Sequence, residues 1–413
     1  MIHRARDEVI GRPGTLSDGV ALVLPYLTED AYAQASGAPR EVLWEAGILE
    51  GPPPLMFPRP PAEFYGDEPL RRPFPAVTLT TLRDVVVRGR SNMLTAPDAI
   101  LRHGLIDTET DVTPEEFYER LKTFPDLGTA DWAPMDPFHV DYLPEAAVFT
   151  DGASFNYAHW MTELLPRIAA YVKMGALSRA PLIVDSELHP NMTRSLALVA
   201  GPDAPVYRLA PDRSVRVGRL HDVSPSGYVT FKLRPQAQRR ASHGVFVPQA
   251  LRESVDALRR AARAGPTHAD RPKLLVRRNA ELRKIVNQAE IDAALEARGF
   301  ITIDPGGLAI DEQIRLYSEA AIVVGGAGAA IVNLMFSAPD CSTVVMIPKM
   351  QAAAFWYWRR IAAAVGAGPV LHVIGELTEP LADPFDPQAA HKDFRIQLKD
   401  LLEAVDEAEA LSG

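Results

Sequence analysis

RPKLLVRRNAELRKIVNQAEIDAALEARGFITIDPGGLAIDEQIRLYSEAAIVVGG (Arg271–Gly326) is the stretch that decides the fold. KLLV, ITI and AIVV are short apolar runs rich in branched residues, the signature of strands buried on both faces. Between them, AEIDAALEARGF spaces Ile291, Ala294, Leu295 and Ala297 on one helical face, and DEQIRLYSEA reads as a second helix. Strands alternating with helices at this spacing imply parallel strands joined by right-handed crossovers. STVVMI, AAAFWYWRRIAAAV and VLHVI continue the pattern to Ile374, giving one Rossmann-like layer.

Working back from that layer, a shorter alternation starts near Tyr142, with PLIV (Pro181–Val184) and VYRL (Val206–Leu209) as strands. Ahead of it the composition changes. Half of the 36 prolines lie in the first 150 residues, and GPPPLMFPRPPAEF (Gly51–Phe64) lacks the backbone donors of a helix or central strand, so it reads as an extended surface arm or connector. AVTLTTLRDVVVRGRSNMLT (Ala76–Thr95) reads as a small antiparallel sheet. A chain of 413 residues exceeds one core's usual span. The expected segments are an arm and small β region (1–135), a first Rossmann-like domain (136–265), a second (266–375), and an acidic C-terminal segment (376–413).

A net charge of −10 argues against a general nucleic-acid binder. The single cysteine, Cys341, and an opening without an apolar core point to a cytoplasmic location. Uncharged AAIVVGGAGAAIVNLMFSAP (Ala320–Pro339) reads as strand, loop and helix rather than a membrane span, because glycines and Asn333 interrupt it. Within this acidic chain, Arg234–Lys284 carries 13 Lys and Arg against 4 Asp and Glu, which suggests a specific anion. Arg277, Arg278 and Arg283 directly follow a predicted strand, where open α/β sheets hold ligands and a guanidinium can grip a phosphate. Gly325 and Gly326 suit a turn with positive φ, and Gly328 and Ala329 open a helix with free N–H groups. Tight strand-to-helix packing explains those glycines equally well.

The second candidate centre lies in SFNYAHWMTELLPRI (Ser154–Ile168). His159 and Glu163 stand at i and i+4 and share a face, a pairing that suits proton abstraction and also plain helix stabilisation. Asn156 suits the helix start, and Pro166 is expected to kink or end the helix. Asp151 and Asp222 are further candidate bases. No DxD or HxH triplet appears, and His189, His221, His243 and His268 are scattered without ligand spacing, so no metal is expected.

Three blocks resemble family 61 glycosyltransferases: HWMTELLPRI, LLVRRNAELRKIVNQAEI, and LAIDEQIRLYSEAAIVVGGAGAAIVNLMFSAPDCSTVVMI, in order between Tyr142 and Pro348. The resemblance implies an α/β fold of GT-B type, two Rossmann-like domains with a C-terminal helix packing back on the first, and transfer of a sugar from a nucleotide-sugar with inversion and without metal or cofactor. It implies His159, Glu163 or Asp151 as base, and Asn156, Tyr157 and Trp160 on the acceptor side. Arg277, Arg278, Arg283, Glu312, Gln313, Gly325, Gly326, Gly328, Ala329 and Asn333 would hold the donor. The implied acceptor is a glycan or lipid-linked glycan in capsule or lipopolysaccharide synthesis, with a peripheral position on the inner membrane face and a homodimer both left open. Ala327 stands where many family members carry His, which leaves donor identity open. An NAD-binding dehydrogenase and a non-catalytic partner of a polysaccharide assembly complex remain the rival readings.

Overall fold

Val77–Arg88 (β1) pairs antiparallel with Ser214–Val223 (β5) from Arg88↔Ser214 to Leu79↔Val223, and this ladder joins two kinds of sheet. On one side of β1, strands Leu94–Ala96 and Ala99–Arg102 continue by antiparallel pairing. On the other, β5 runs parallel to Val140–Phe149 (β2), which runs parallel to Leu182–Asp185 (β3), and β3 to Val206–Leu209 (β4). The result is one mixed eleven-stranded sheet. The segment expected as a separate small β region is part of it, because the alternating residues of β1 bury against β5 along their length.

The computed structural model describes residues 23–59, 69–133, 140–175, 180–234, 244–264, 271–277, 282–349, 356–380 and 391–412. The chain forms two compact units, Met1–Glu45 with Ala76–Arg234, and Ala46–Pro75 with Pro235–Gly413. In the first unit, Leu82, Val85, Val148, Ile183, Val217 and Leu220 form the core of the sheet. Helices Leu165–Lys173 (α1) and Pro190–Ala200 (α2) connect β2 to β3 and β3 to β4. The strand order β5-β2-β3-β4 reverses direction at β2, so β2 and β5 flank a topological switch point.

The second unit follows the βαβ reading closely. Its parallel strands are Lys273–Val276 (β6), Phe300–Ile303 (β7), Ile322–Gly326 (β8), Ser342–Pro348 (β9) and Val370–Leu377 (β10), in the order β7-β6-β8-β9-β10. The direction reverses between β6 and β8, a second switch point. Pro248–Ala262 (α3), Gln288–Glu296 (α4), Ile310–Glu319 (α5) and Trp356–Val365 (α6) are its helices up to β10. The uncharged run Ala320–Pro339 is a strand, a turn and a 3₁₀ helix (Ala329–Phe336), and no described helix is long and apolar enough to cross a membrane.

Two expectations change here. The proline-rich stretch is not wholly a surface arm: Leu55–Phe57 adds a short parallel strand to β10, at Leu371↔Leu55, with its prolines confined to the flanks of the strand. Residues 60–68 of that stretch lie outside the described residues. The C-terminal helix, expected to return to the first domain, packs on the second sheet instead. Phe394–Arg395 (β11) pairs antiparallel with β10, and helix Leu398–Ser412 (α7) buries Leu401, Ala404, Val405 and Ala408 in the same core as Leu275, Val324 and Leu371. The helical spacing of those four residues gives α7 one apolar stripe, and the second sheet covers it.

Candidate active site

The turn after β2 carries the first centre. Asn156 caps the next helical segment, its Oδ1 accepting the Ala158 N–H at 2.9 Å. A helical turn, Tyr157–His159, passes into a π turn, Trp160–Leu164, whose Leu165 N–H reaches back to the Trp160 carbonyl. The helix then runs on as α1 to Lys173. Pro166 therefore neither ends nor breaks it. A proline inside a helix lacks an N–H and presses on the carbonyl four residues back, and the wider π turn immediately before it relieves both problems.

That backbone brings His159 and Glu163 together. His159 Nδ1 lies 2.6 Å from Glu163 Oε1, with side chains 15% and 9% exposed. Burial raises the Glu163 carboxyl above the ordinary carboxylate range; His159 and an N–H from Val229 only partly offset this. For His159, burial alone would lower the imidazole, but the Glu163 carboxylate and Asp151 outweigh it and hold the pKa above its usual value.

Asp151 joins them. It lines the same small, solvent-open pocket as His159, Glu163, Asn92 and Tyr228. Its Oδ1 accepts the Ala153 N–H at 2.7 Å, and its Oδ2 accepts from Asn92 Nδ2 at 2.8 Å. Its own N–H donates to Asp185 Oδ2 at 3.0 Å, tying the ends of β2 and β3. Burial raises Asp185 to about 6, despite the N–H groups of Arg90 and Asp151 on its oxygens. Behind the pocket, burial pulls His103 down to about 3, so it stays neutral, with Nε2 3.5 Å from Asn92 Nδ2. The His103 ring meets Tyr228 edge to face, and Tyr228 donates to Asp111 at 2.7 Å. Asn92, Tyr228 and Asp185 were absent from the sequence-based candidates. Only Asp185 left a signal, a carboxylate closing a predicted buried parallel strand.

Other expected residues are placed differently. Trp160 has no exposed surface, and its indole N–H donates to Ser195 Oγ at 2.8 Å, so its ring cannot stack on an acceptor. Tyr157 is half-buried beside Asn156. Asp222 is buried against Arg167 and is closed to an acceptor.

In the second unit, Arg277 follows β6 and Gly325 and Gly326 end β8, with Val276 directly opposite Gly325, so the candidate anion groups share the switch-point edge. The Arg277 guanidinium is half exposed and pairs with Asp292 of α4. Arg278 lies outside the described residues, and Arg283 adopts a left-handed backbone with φ 59°. Gly325 and Gly326 do not have positive φ. What requires glycine there is packing: a Cβ on Gly325 would lie 2.6 Å from Ile331 Cδ1 and 3.0 Å from Val276 Cβ, and one on Gly326 would lie 3.2 Å from Ile285 Cδ1. Gly328 is extended and precedes the 3₁₀ helix that Ala329 begins. Asn333 and Gln313 are buried and bond each other, Nδ2 to Oε1 at 2.6 Å, while Gln313 Nε2 donates to the Pro305 and Leu308 carbonyls. They brace the turn from within, whereas Glu312 is exposed. Buried Ala327 donates its N–H to the Met346 carbonyl at 2.8 Å. Among the described residues, no group of three or more His, Cys, Asp or Glu side chains is arranged to hold a metal ion.

Residues 157–345 match the family model described as Glycosyltransferase 61. This supports a family 61 glycosyltransferase. The match contains the His159–Glu163 pair and both strands of the second switch point, and it stops short of Asn92 and Asp151. No curated protein matches the chain.

Proposed function

We propose that the protein transfers a sugar from a nucleotide-sugar to a hydroxyl of a glycan or lipid-linked glycan acceptor, as a GT-B-type inverting enzyme of surface polysaccharide synthesis that acts without a metal. The observation that carries this reading is the buried 2.6 Å pair of His159 and Glu163 beside Asp151 in one pocket, within a region matching a glycosyltransferase family. Glu163 orients the imidazole through Nδ1 and leaves Nε2 as the base. The acceptor O–H attacks the anomeric carbon, its proton passes to Nε2, and the bond from that carbon to the diphosphate oxygen breaks with its electron pair on the diphosphate. Arg277, Arg278 and Arg283 neutralise that charge in the second unit. The half-exposed guanidinium of Arg277 at the strand-switch edge, beside the N–H groups of the glycine turn, supports that role.

Thermal shift with UDP-, GDP- and CMP-sugars identifies the nucleotide, and transfer assays with that donor test the base. His159→Ala and Glu163→Gln are expected to lower kcat by about 10²–10⁴ while nucleotide binding persists. Full transfer by both variants would remove the pair from the mechanism.

A further inference from the structure

The exposed rings of Phe117 and Tyr118 and the half-buried ring of Phe231 form an aromatic patch at the rim of the pocket. Phe117 and Tyr118 are 45% and 52% exposed. Phe117 meets Tyr118 edge to face at 5.1 Å and Phe231 at 5.5 Å, and Tyr118 lies 6.1 Å from Phe231. Exposed apolar clusters of this kind mark interaction sites. Phe231 and Pro114 also line the pocket that holds His159 and Glu163, so the patch continues the pocket wall.

The patch is built rather than accidental. Phe117 and Tyr118 end a helical turn, Pro114–Phe117, fixed by a capping box in which Thr113 and Glu116 exchange side-chain and backbone hydrogen bonds. Phe231 precedes strand Lys232–Leu233, which pairs with Asp111–Val112 just ahead of that turn. Arg234 then locks the two segments, Nη2 to Glu116 Oε1 at 2.8 Å and Nε to the Thr108 carbonyl at 3.1 Å. Rigid rings at fixed angles suit a ligand with flat apolar faces, such as the C–H faces of a pyranose. A lipid chain would call for a broader apolar surface, whereas Lys232 sits 4.7 Å over the Phe117 ring and keeps the patch edged with charge.

We propose that Phe117, Tyr118 and Phe231 form a platform for the saccharide chain of the acceptor where it leaves the pocket. The proposal rests on the glycosyl-transfer reading and names its acceptor class as an oligosaccharide. Phe231 lines the pocket, and the rings of Phe117 and Tyr118 lie against it on the outer side, so a saccharide chain that enters the pocket continues over those rings.

The test uses the full chain on immobilised sugars from monosaccharides to hexasaccharides, and on phosphatidylethanolamine–phosphatidylglycerol vesicles. Wild type and His159→Ala are expected to retain the longer oligosaccharides. Phe117→Ala and Tyr118→Ala should weaken that retention by about tenfold, leaving single sugars and nucleotide binding unchanged, and Phe117→Tyr should restore it. Both positions are exposed, so thermal melts of the variants should match wild type. Unchanged retention by both alanine variants overturns the platform. So does wild-type failure to hold any oligosaccharide, or release by the same variants from vesicles alone. Ring-dependent retention with no transfer from any nucleotide-sugar would instead sink the glycosyl-transfer reading and leave the platform standing.

Discussion

Arg167 Nη2 lies 2.9 Å from Asp222 Oδ1, and Arg167 Nε donates to the Val223 carbonyl at 2.7 Å, so α1 is pinned to the end of β5 by a buried cation. Glu29 is buried beside Asp222; burial, and after it the Asp222 carboxylate, holds Glu29 well above its usual range. Removing Arg167 would leave two buried carboxyl groups with no cation. Arg167→Ala should therefore destabilise the protein by about 3–5 kcal/mol. Urea unfolding followed by tryptophan fluorescence measures it, and a loss under about 1 kcal/mol would mean that the pair is not desolvated.

The His159–Glu163 pair makes a prediction that needs no substrate. In wild type the imidazole should titrate above its ordinary value of about 6.5, and in Glu163→Gln below it, because burial then dominates. Imidazole NMR signals read both directly. With the folded pKa raised, the stabilisation from the charged imidazole is fully present below about 6.5 and is lost as pH rises through the folded value. Transfer by a neutral base should rise over the same range. A lower pKa in wild type than in the variant would contradict the assignment.

Asp185 gives a signed pH effect on stability. Its carboxyl is raised from 3.8 to about 6, so the folded state favours the protonated form, and this contribution is present below about 4 and lost as pH rises through about 6. Asp185→Asn removes the titration. The stability of wild type minus that of the variant should fall by about 3 kcal/mol across that window and stay flat outside it. Chemical denaturation at several pH values tests this, and a flat difference throughout would show that Asp185 ionises freely.

Gly325 separates packing from ligand approach. Gly325→Ala should cost about 1–3 kcal/mol through overpacking on Ile331 and Val276. Adding Ile331→Val removes the Cδ1 atom at 2.6 Å and should return much of that loss. Were the glycine needed only for a diphosphate, the single variant would keep its denaturation midpoint and lose nucleotide binding.

The second unit was legible because its strands and helices alternate locally, and each apolar run has one partner face to find. The first was not. The ladder between β1 and β5 joins residues more than a hundred positions apart, and no local pattern announces that Val77–Arg88 extends a parallel sheet. The candidate site divides the same way. His159 and Glu163 share one helical face and could be paired from spacing alone. Asn92 reaches Asp151 only through that long-range sheet, and Trp160, which the resemblance put on the acceptor side, is buried with its indole on Ser195. At the glycine turn the need for small residues was visible, but its cause was the neighbouring side chains rather than the backbone angle.

The hydrogen bonds of Leu55–Phe57 to β10 carry a practical lesson for anyone dissecting the protein. Because Ala46–Pro75 belongs with Pro235–Gly413, no single cut of the chain releases either half intact. A fragment starting at Pro235 would bare the Leu371–Val373 edge, an open row of backbone donors and acceptors that invites self-association. Supplying residues 46–75 as a separate peptide, or splicing them ahead of Pro235 through a linker, is the way to recover that half in soluble form.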